Sequence, residues 1–268
     1  MEKINNLTED LTRKILEFLY KDEAMNVITI HYFENIKSEL GELYICEIDK
    51  QIKTLLHIKD DGNSHFTTIC VDDEKYLEQI ASKIKEINYK DLLLAAKDTE
   101  VAIILKHMGR AGELYLNTYY VYESKELFDI EKSEFILKKA RQSDFEIVEK
   151  LLIDFFEADS ESSKERISAN IKLEKIRLLY KGDTVIGFGS FFGYSKNYID
   201  ISSVYISEPY RGLGYSKLLM KYMIKESLEK GKIAVLQASK TNKKANRTYI
   251  NTGFREMSDY AFQFVNEL

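Results

Sequence analysis

From residue 134 onward, the apolar positions switch repeatedly between the two-residue period of a strand and the 3.6-residue period of a helix. Residues 135–139 read as a short strand. Ser143 and Asp144 then offer N-cap chemistry to a helix that carries Ile147, Val148, Leu151 and Leu152 at helical spacing. A second helix is predicted over 163–175, with Ile167, Ile171 and Leu173 as its apolar contacts. Strands follow at 176–180 and 185–192, joined by Lys181-Gly182-Asp183, a hairpin turn signal. The pattern continues with a strand at 198–206, an amphipathic helix at 216–228, a strand at 233–238 and a short helix at 243–251. Residues 254–265 read as a closing hairpin or bent strand. The order β-α-α-β-β-β-α-β-α-β predicts a mixed α/β domain.

Between residues 123 and 133 the apolar period lapses and Glu, Lys, Ser and Asp dominate, so the chain divides there into 1–130 and 134–268. Charge supports the division. Residues 134–268 hold 22 Lys and Arg against 18 Asp and Glu, a balance of +4, whereas residues 1–133 hold 17 against 26, a balance of -9. The 268 residues are 44% apolar and 31% charged, enough to bury a large core or two modest ones. No apolar run approaches the ~20 residues that cross a bilayer, and the polar start, with Glu2, Glu9 and Asp10, is unlike a signal peptide. Basic residues are interspersed with acidic ones, so no nucleic-acid stripe is present. Cys46 and Cys70 read as two thiols of a cytoplasmic protein. His31, His57, His65 and His107 suit no standard zinc spacing, and no metal is expected.

The chemistry concentrates in Val204-Tyr205-Ile206-Ser207-Glu208-Pro209-Tyr210-Arg211-Gly212-Leu213-Gly214-Tyr215-Ser216. A β-branched strand runs into a turn with one Arg and two glycines, then directly into a long helix. Glycines let the backbone turn and approach a ligand, successive N–H groups point into one hollow, and the helix N-terminus adds partial positive charge. Ser216 can cap the helix or donate to phosphate. A plain strand-to-helix turn is the competing reading.

The segment resembles the acyl-CoA pyrophosphate loop of the GNAT acetyltransferase superfamily, Arg/Gln-x-x-Gly-x-Gly/Ala, with Ser216 in place of the last small residue. A second resemblance begins 26 residues past Ser216, at Asn242-Lys243-Lys244-Ala245-Asn246-Arg247-Thr248-Tyr249-Ile250-Asn251-Thr252-Gly253-Phe254. It is similar to the family's Asn-x-x-Ala-x-x-x-Tyr-x-x-x-Gly-Phe segment. The likeness implies the GNAT fold over 134–268, acetyl-CoA as acyl donor without a metal, and direct N-acetyl transfer to a primary amine of a small molecule, peptide or protein. It implies that unpaired backbone groups at Val204, Tyr205 and Ile206 bond the pantetheine arm and polarise the thioester carbonyl. Arg211, Gly212, Leu213, Gly214, Tyr215 and Ser216 would hold the pyrophosphate, with Asn242 and Asn246 flanking the arm.

Tyr249 would protonate the leaving thiolate, a task suited to a phenol that is neutral at pH 7; a core tyrosine is the competing reading. Asp200 occupies a position where some family members carry a Glu base, and strict alternation would put it on one face with Ser202, Val204 and Ile206. The alternative is an Asp in solvent at the end of the Asn197 turn. Asp154, Phe155, Phe156, Glu157, Asp159 and Glu161 could receive a cationic amine, or form a solvated loop with an aromatic in the core.

Residues 1–133 carry no chemical motif. Setting the halves against each other at an offset of 144 puts Gly253 on Gly109 and Asn242 on Asp98, but Arg211 on Thr67, Gly214 on Cys70 and Tyr249 on Leu105. The first half is therefore read as a second α/β domain, either unrelated or a degenerate GNAT-like copy without loop or phenol. A non-catalytic acyl-CoA-binding sensor or scaffold, and an O-acyl or longer-chain acyltransferase, use the same loop. The sequence leaves a homodimer open.

Overall fold

Each apolar stripe along the chain becomes the buried face of an element. The helix Tyr215–Glu229, for example, buries Leu219, Met220, Met223, Ile224 and Ser227 along one side. The computed structural model describes residues 1–60, 64–110, 114–124, 130, 134–156 and 164–265. Two compact units divide them. The first is Met1–Tyr119, Gln237–Asn242 and Glu256–Leu268; the second is Tyr120–Leu236 and Lys243–Arg255. Each unit therefore takes residues from both halves of the sequence.

The chain order is β1 (Glu2–Lys3), α1 (Glu9–Leu19), α2 (Val27–Asn35), β2 (Glu42–Ile48), β3 (Gln51–Asp60), β4 (His65–Val71), α3 (Leu77–Ile87), β5 (Leu92–Lys97), α4 (Asp98–His107) and β6 (Leu116–Val121). It continues with β7 (Phe135–Lys139), α5 (Phe145–Phe156), α6 (Lys164–Lys172), β8 (Ile176–Lys181), β9 (Thr184–Tyr194), β10 (Tyr198–Ile206), α7 (Tyr215–Glu229), β11 (Ile233–Ser239), α8 (Lys243–Asn251) and β12 (Arg255–Phe264). The order β-α-α-β-β-β-α-β-α-β thus occurs twice. The offset of 144 aligns α4 with α8 and the left-handed Gly109 with Gly253, but α3 begins later than that offset places it.

In the second unit the strands lie in the order β11-β10-β9-β8-β7. All pairs are antiparallel except β10 with β11, which run parallel. Beside β11, the Tyr122 N–H donates to the Ala234 carbonyl at 2.9 Å. Helices α5 and α6 close one face over a core of Val148, Leu151, Ile167, Ile171, Leu178 and Phe188. On α7, Glu226 receives the buried Arg177, whose Nε donates to Oε2 at 2.6 Å and whose Nη1 donates to the Glu174 carbonyl at 2.6 Å. Burial pushes the Glu226 carboxyl up, but Arg177 and Lys230 overcome it and hold the group below its ordinary value. Removing one partner strands the other charge, so Arg177→Ala should cost about 3–5 kcal/mol in chemical denaturation. A loss below about 1 kcal/mol, the scale of an exposed pair, would show that the pair contributes nothing beyond surface charge.

In the first unit the strand order is β1-β2-β3-β4-β5-β12. Again one pair is parallel, β4 with β5, among antiparallel neighbours. The closing strand β12 is a single strand rather than a hairpin, and its residues Tyr260–Phe264 pair antiparallel with β5. Helix α1 opens on Thr8, whose Oγ1 accepts from the Leu11 N–H at 3.2 Å, with Glu9 and Asp10 in the first turn. The core under α3 and α4 gathers Leu77, Ile80, Ile84, Leu94, Val101 and Ile104. Among the described residues, no helix is long and apolar enough to cross a membrane.

Candidate active site

The turn from β10 to α7 is locally encoded. The Ser207 N–H donates to the Ile186 carbonyl at 2.9 Å, a single helical turn spans Glu208–Tyr210 around Pro209, and the Arg211 N–H closes on the Glu208 carbonyl at 3.1 Å. Gly212 and Gly214 then take left-handed φ of +78° and +82°, and no protein atom lies within 4 Å of where a Cβ would stand on either. Gly214 is the N-cap of α7, with no side-chain cap and no acidic residue in the first turn. Backbone N–H groups of that turn therefore face outward with no anion of the protein's own against them. Such a nest at a helix N-terminus suits a phosphate. Ser216 does not cap the helix: α7 begins one residue earlier, so Ser216 lies inside its first turn.

The flanking residues fix the loop. Arg211 folds back on its own strand, Nε donating to the Ile206 carbonyl at 3.0 Å and the guanidinium standing 5.1 Å from the Tyr205 ring. Tyr215 packs on Phe135 at 4.9 Å and its hydroxyl accepts from Lys181 Nζ at 3.3 Å. Leu213 is exposed.

Parallel pairing of β10 with β11 is confined to Tyr198–Asp200 against Ile233–Val235. Past Asp200 the two strands fork. Along the other edge β10 carries a bulge, where two residues, Ser203 and Val204, oppose one on β9, and Ser203 takes a left-handed φ of +49°. The extra residue breaks the alternation. Ser202 pairs with Ser190 and Tyr205 with Phe188, so Asp200, Ser202 and Tyr205 share one face while Val204 and Ile206 turn away from it. The expected common face of Asp200, Ser202, Val204 and Ile206 is thus corrected. Asp200 is also no solvent residue: it is 4% exposed, and burial pushes its carboxyl up to about 8.

The face that Asp200 shares looks toward α5 and α6. There Phe155 meets Phe188 at 5.8 Å, Tyr205 at 5.9 Å and the exposed Phe156 at 4.8 Å, while Ser190 and Ser202 hydroxyls bond at 2.9 Å. Glu157, Asp159 and Glu161 lie outside the described residues.

Helix α8 packs beside α7 and carries Tyr249 and Asn246. Tyr249 is buried between the rings of Tyr120 at 5.8 Å and Phe254 at 6.1 Å, and burial, with Tyr120 beside it, pushes the phenol up to about 12. Tyr120 in turn donates from its hydroxyl to Asn246 Oδ1 at 2.9 Å. Sequence reading missed Tyr120, since nothing local marks a residue 126 positions from its partner. Asn242 belongs to the first unit, where its N–H donates to the Ser239 carbonyl at 3.0 Å.

Residues 145–254 match the family model described as the acetyltransferase (GNAT) family. This segment is a GNAT domain. The fold of the whole chain is similar to that of a GCN5-related N-acetyltransferase from Sphaerobacter thermophilus, at 12% identity and TM-score 0.68 over 98% of this chain and 96% of that one. A GNAT-family acetyltransferase from Colwellia psychrerythraea aligns at 12% identity and TM-score 0.63, over 98% and 100% of the two chains. A tandem GNAT protein from the clavulanic acid biosynthesis pathway aligns at 10% and TM-score 0.63, over 97% of each. No curated protein sequence matches the chain. The second unit therefore has the GNAT fold, and the first is a second α/β domain. Acyl transfer is the reaction class that the GNAT match supports.

The first unit has its own fork, where β4 pairs with β5 only from His65/Leu92 to Thr68/Ala95. Its strand-to-helix turn contains no glycine. Asp73 Oδ1 there accepts from the Lys75 N–H at 3.0 Å, so a carboxylate already occupies the place an anion would take. Of the four histidines, His57 is buried between Leu40 and Thr68 and pushed down to about 4 by burial, and His65 pairs with Asp91 at 2.7 Å. No group of three metal-ligating side chains occurs among the described residues.

Proposed function

We propose that the GNAT domain is an N-acetyltransferase that moves an acetyl group from acetyl-CoA directly to a primary amine in a ternary complex. The observation that carries this reading is the nest of Gly212 and Gly214 at the uncapped, acid-free N-terminus of α7. In this reading residues 211–216 hold the pyrophosphate, and the β10 backbone at Val204, Tyr205 and Ile206, past the fork, bonds the pantetheine arm and the thioester oxygen. Asn246 flanks the arm. Acetyl-CoA supplies the acyl group as a thioester.

Asp200 takes the proton of the incoming ammonium, directly or through a water. The amine nitrogen then bonds the carbonyl carbon, the carbon–sulfur bond breaks, Tyr249 delivers a proton to the sulfur, and the surplus proton of the nitrogen returns to the tyrosinate directly or through water as the amide forms. The ring cluster of Phe155, Phe156 and Tyr205 on the Asp200 face suits the cationic or aliphatic part of the acceptor. With Cys46 and Cys70 both free thiols, the proposed compartment is the cytoplasm.

The test follows free thiol on mixing acetyl-CoA with a panel of primary amines across pH. A base raised to about 8 is half-ionised at that pH, so kcat/KM should climb through a midpoint near pH 8 toward a plateau above it, and the limb should vanish in Asp200→Asn. The same substitution should raise the melting temperature. Burial lifts the folded pKa above the ordinary carboxylate value near 4, so the stability of the wild-type protein falls between about pH 4 and pH 8, where the unfolded carboxyl ionises and the folded one does not. The advantage of Asn should accordingly be larger at pH 8 than at pH 5. Tight acetyl-CoA binding without thiol release for any amine would leave a binding module instead of an enzyme.

A further inference from the structure

The fork of the first unit does not close into solid core. Where β4 and β5 part after Thr68 and Ala95, a cavity of about 200 Å³ opens, bounded by the end of α1, by α2, by Glu100 on α4 and by Gln237 and Tyr260. Its size is below the ~300–1,000 Å³ of cofactor-sized pockets, and the glycine-free turn beside it, filled by Asp73, offers no phosphate cradle. The first unit thus keeps the fork of the GNAT fold without the loop that would serve a nucleotide.

The wall defines what would fit. Its two lysines are already paired, Lys97 with Asp22 at 2.9 Å and Lys21 with Asp72 at 2.8 Å. Glu100 has no Lys or Arg nitrogen within 4 Å among the described residues, although it is largely enclosed. Burial pushes its carboxyl up to about 7, with Lys97 opposing and Asp22 and Glu74 reinforcing the shift. Gln237 Oε1 is buried with no hydrogen-bond partner, which costs ~1–3 kcal/mol unless an occupant donates to it. Phe18, Phe66 and Tyr260 supply ring faces. A carboxylate that a backbone hydrogen bond at Lys97 and the charge of Lys97 offset only in part, an orphaned acceptor and aromatic lining residues together ask for a cation with N–H donors and a short apolar body.

We propose that the first unit is a binding site for a small primary ammonium compound, held at the β4/β5 fork by Glu100 and Gln237. It is separate from the acceptor site of the second unit and requires no acyl chemistry. The test is titration of the full chain with n-propylamine, with n-propanol and propionate as matched controls, followed by calorimetry and melting temperature. Propylamine should bind saturably, and the controls should not. Glu100→Gln keeps the side chain's shape and should weaken propylamine at least ~10-fold, about 1.4 kcal/mol, while acetyl-CoA affinity stays unchanged. Gln237→Leu removes the orphaned oxygen, so it should raise the melting temperature of the free protein yet weaken propylamine to a similar extent. That pairing separates lost binding from lost folding. Asp200→Asn should leave this binding intact. An equal response to propanol, an unchanged response in Glu100→Gln and Gln237→Leu, or a response abolished by Asp200→Asn alone would each overturn the proposal.

Discussion

Tyr249→Phe should lower kcat by about 10²-fold, the lower end of what general acids contribute, with acetyl-CoA affinity near that of the wild-type protein. The ring of Tyr249 packs between Tyr120 and Phe254 on α8, and phenylalanine preserves both contacts. Only the hydroxyl is lost, so folding and the loop at α7 are spared. The direction of the phenol's shift sets the size of the effect. At about 12 it is neutral throughout the working range, but it is also a weaker acid than an ordinary tyrosine. A full proton transfer to a solvated thiolate would be uphill. Burial raises a thiol too, the direction seen for the enclosed Cys70, so enclosing the leaving sulfur would make it a better proton acceptor and lessen that uphill step. Stopped-flow measurement of thiol release checks this, since it separates chemistry from product departure. A wild-type rate in the variant would remove Tyr249 from the mechanism. A loss appearing only in KM would reassign it to binding.

The loop could be read from sequence because its information is contiguous. Two residues that must take positive φ, an Arg turned back on the strand and the start of a helix all fall within 211–216. The ten-element order of the second half was legible for the same reason, since each stripe is local. Asp200 was harder. Its face follows from alternation only if the strand is regular, and the bulge at Ser203 and Val204 shifts the frame between Asp200 and Ile206. No residue type there announces a bulge; Ser203 adopts its left-handed conformation without being Gly or Asn.

Non-local partners were not legible at all. Tyr120 reaching Asn246, and β12 pairing with β5, join residues more than a hundred positions apart through backbone edges that any strand presents. For the same reason the first unit hid its likeness. It has the same order of elements and a fork, which depend on apolar pattern, but lacks the glycines and the phenol on which a motif search depends.

Gly214→Ala should raise the dissociation constant for acetyl-CoA at least about 100-fold, roughly 2.7 kcal/mol, and Gly231→Ala should leave it unchanged. Both glycines hold left-handed φ, +82° and +67°, and neither would bring a Cβ within 4 Å of a protein atom. Either substitution therefore carries a similar intrinsic strain of ~1–2 kcal/mol. They differ in what stands beyond the Cβ. Gly231 follows the C-terminus of α7, where its strain appears only as lost stability. At Gly214 the Cβ would stand in open space at the N-cap of α7, where the proposed pyrophosphate would lie against the first-turn N–H groups. It would thereby cost a charge-assisted hydrogen bond, worth ~1.5–3 kcal/mol, in addition to the strain. A pantetheine thioester without the pyrophosphate separates the two contributions, because its affinity should be nearly the same in Gly214→Ala and wild type. If Gly214→Ala and Gly231→Ala bind acetyl-CoA equally well, the hollow at α7 holds no phosphate, and the loop is only a turn.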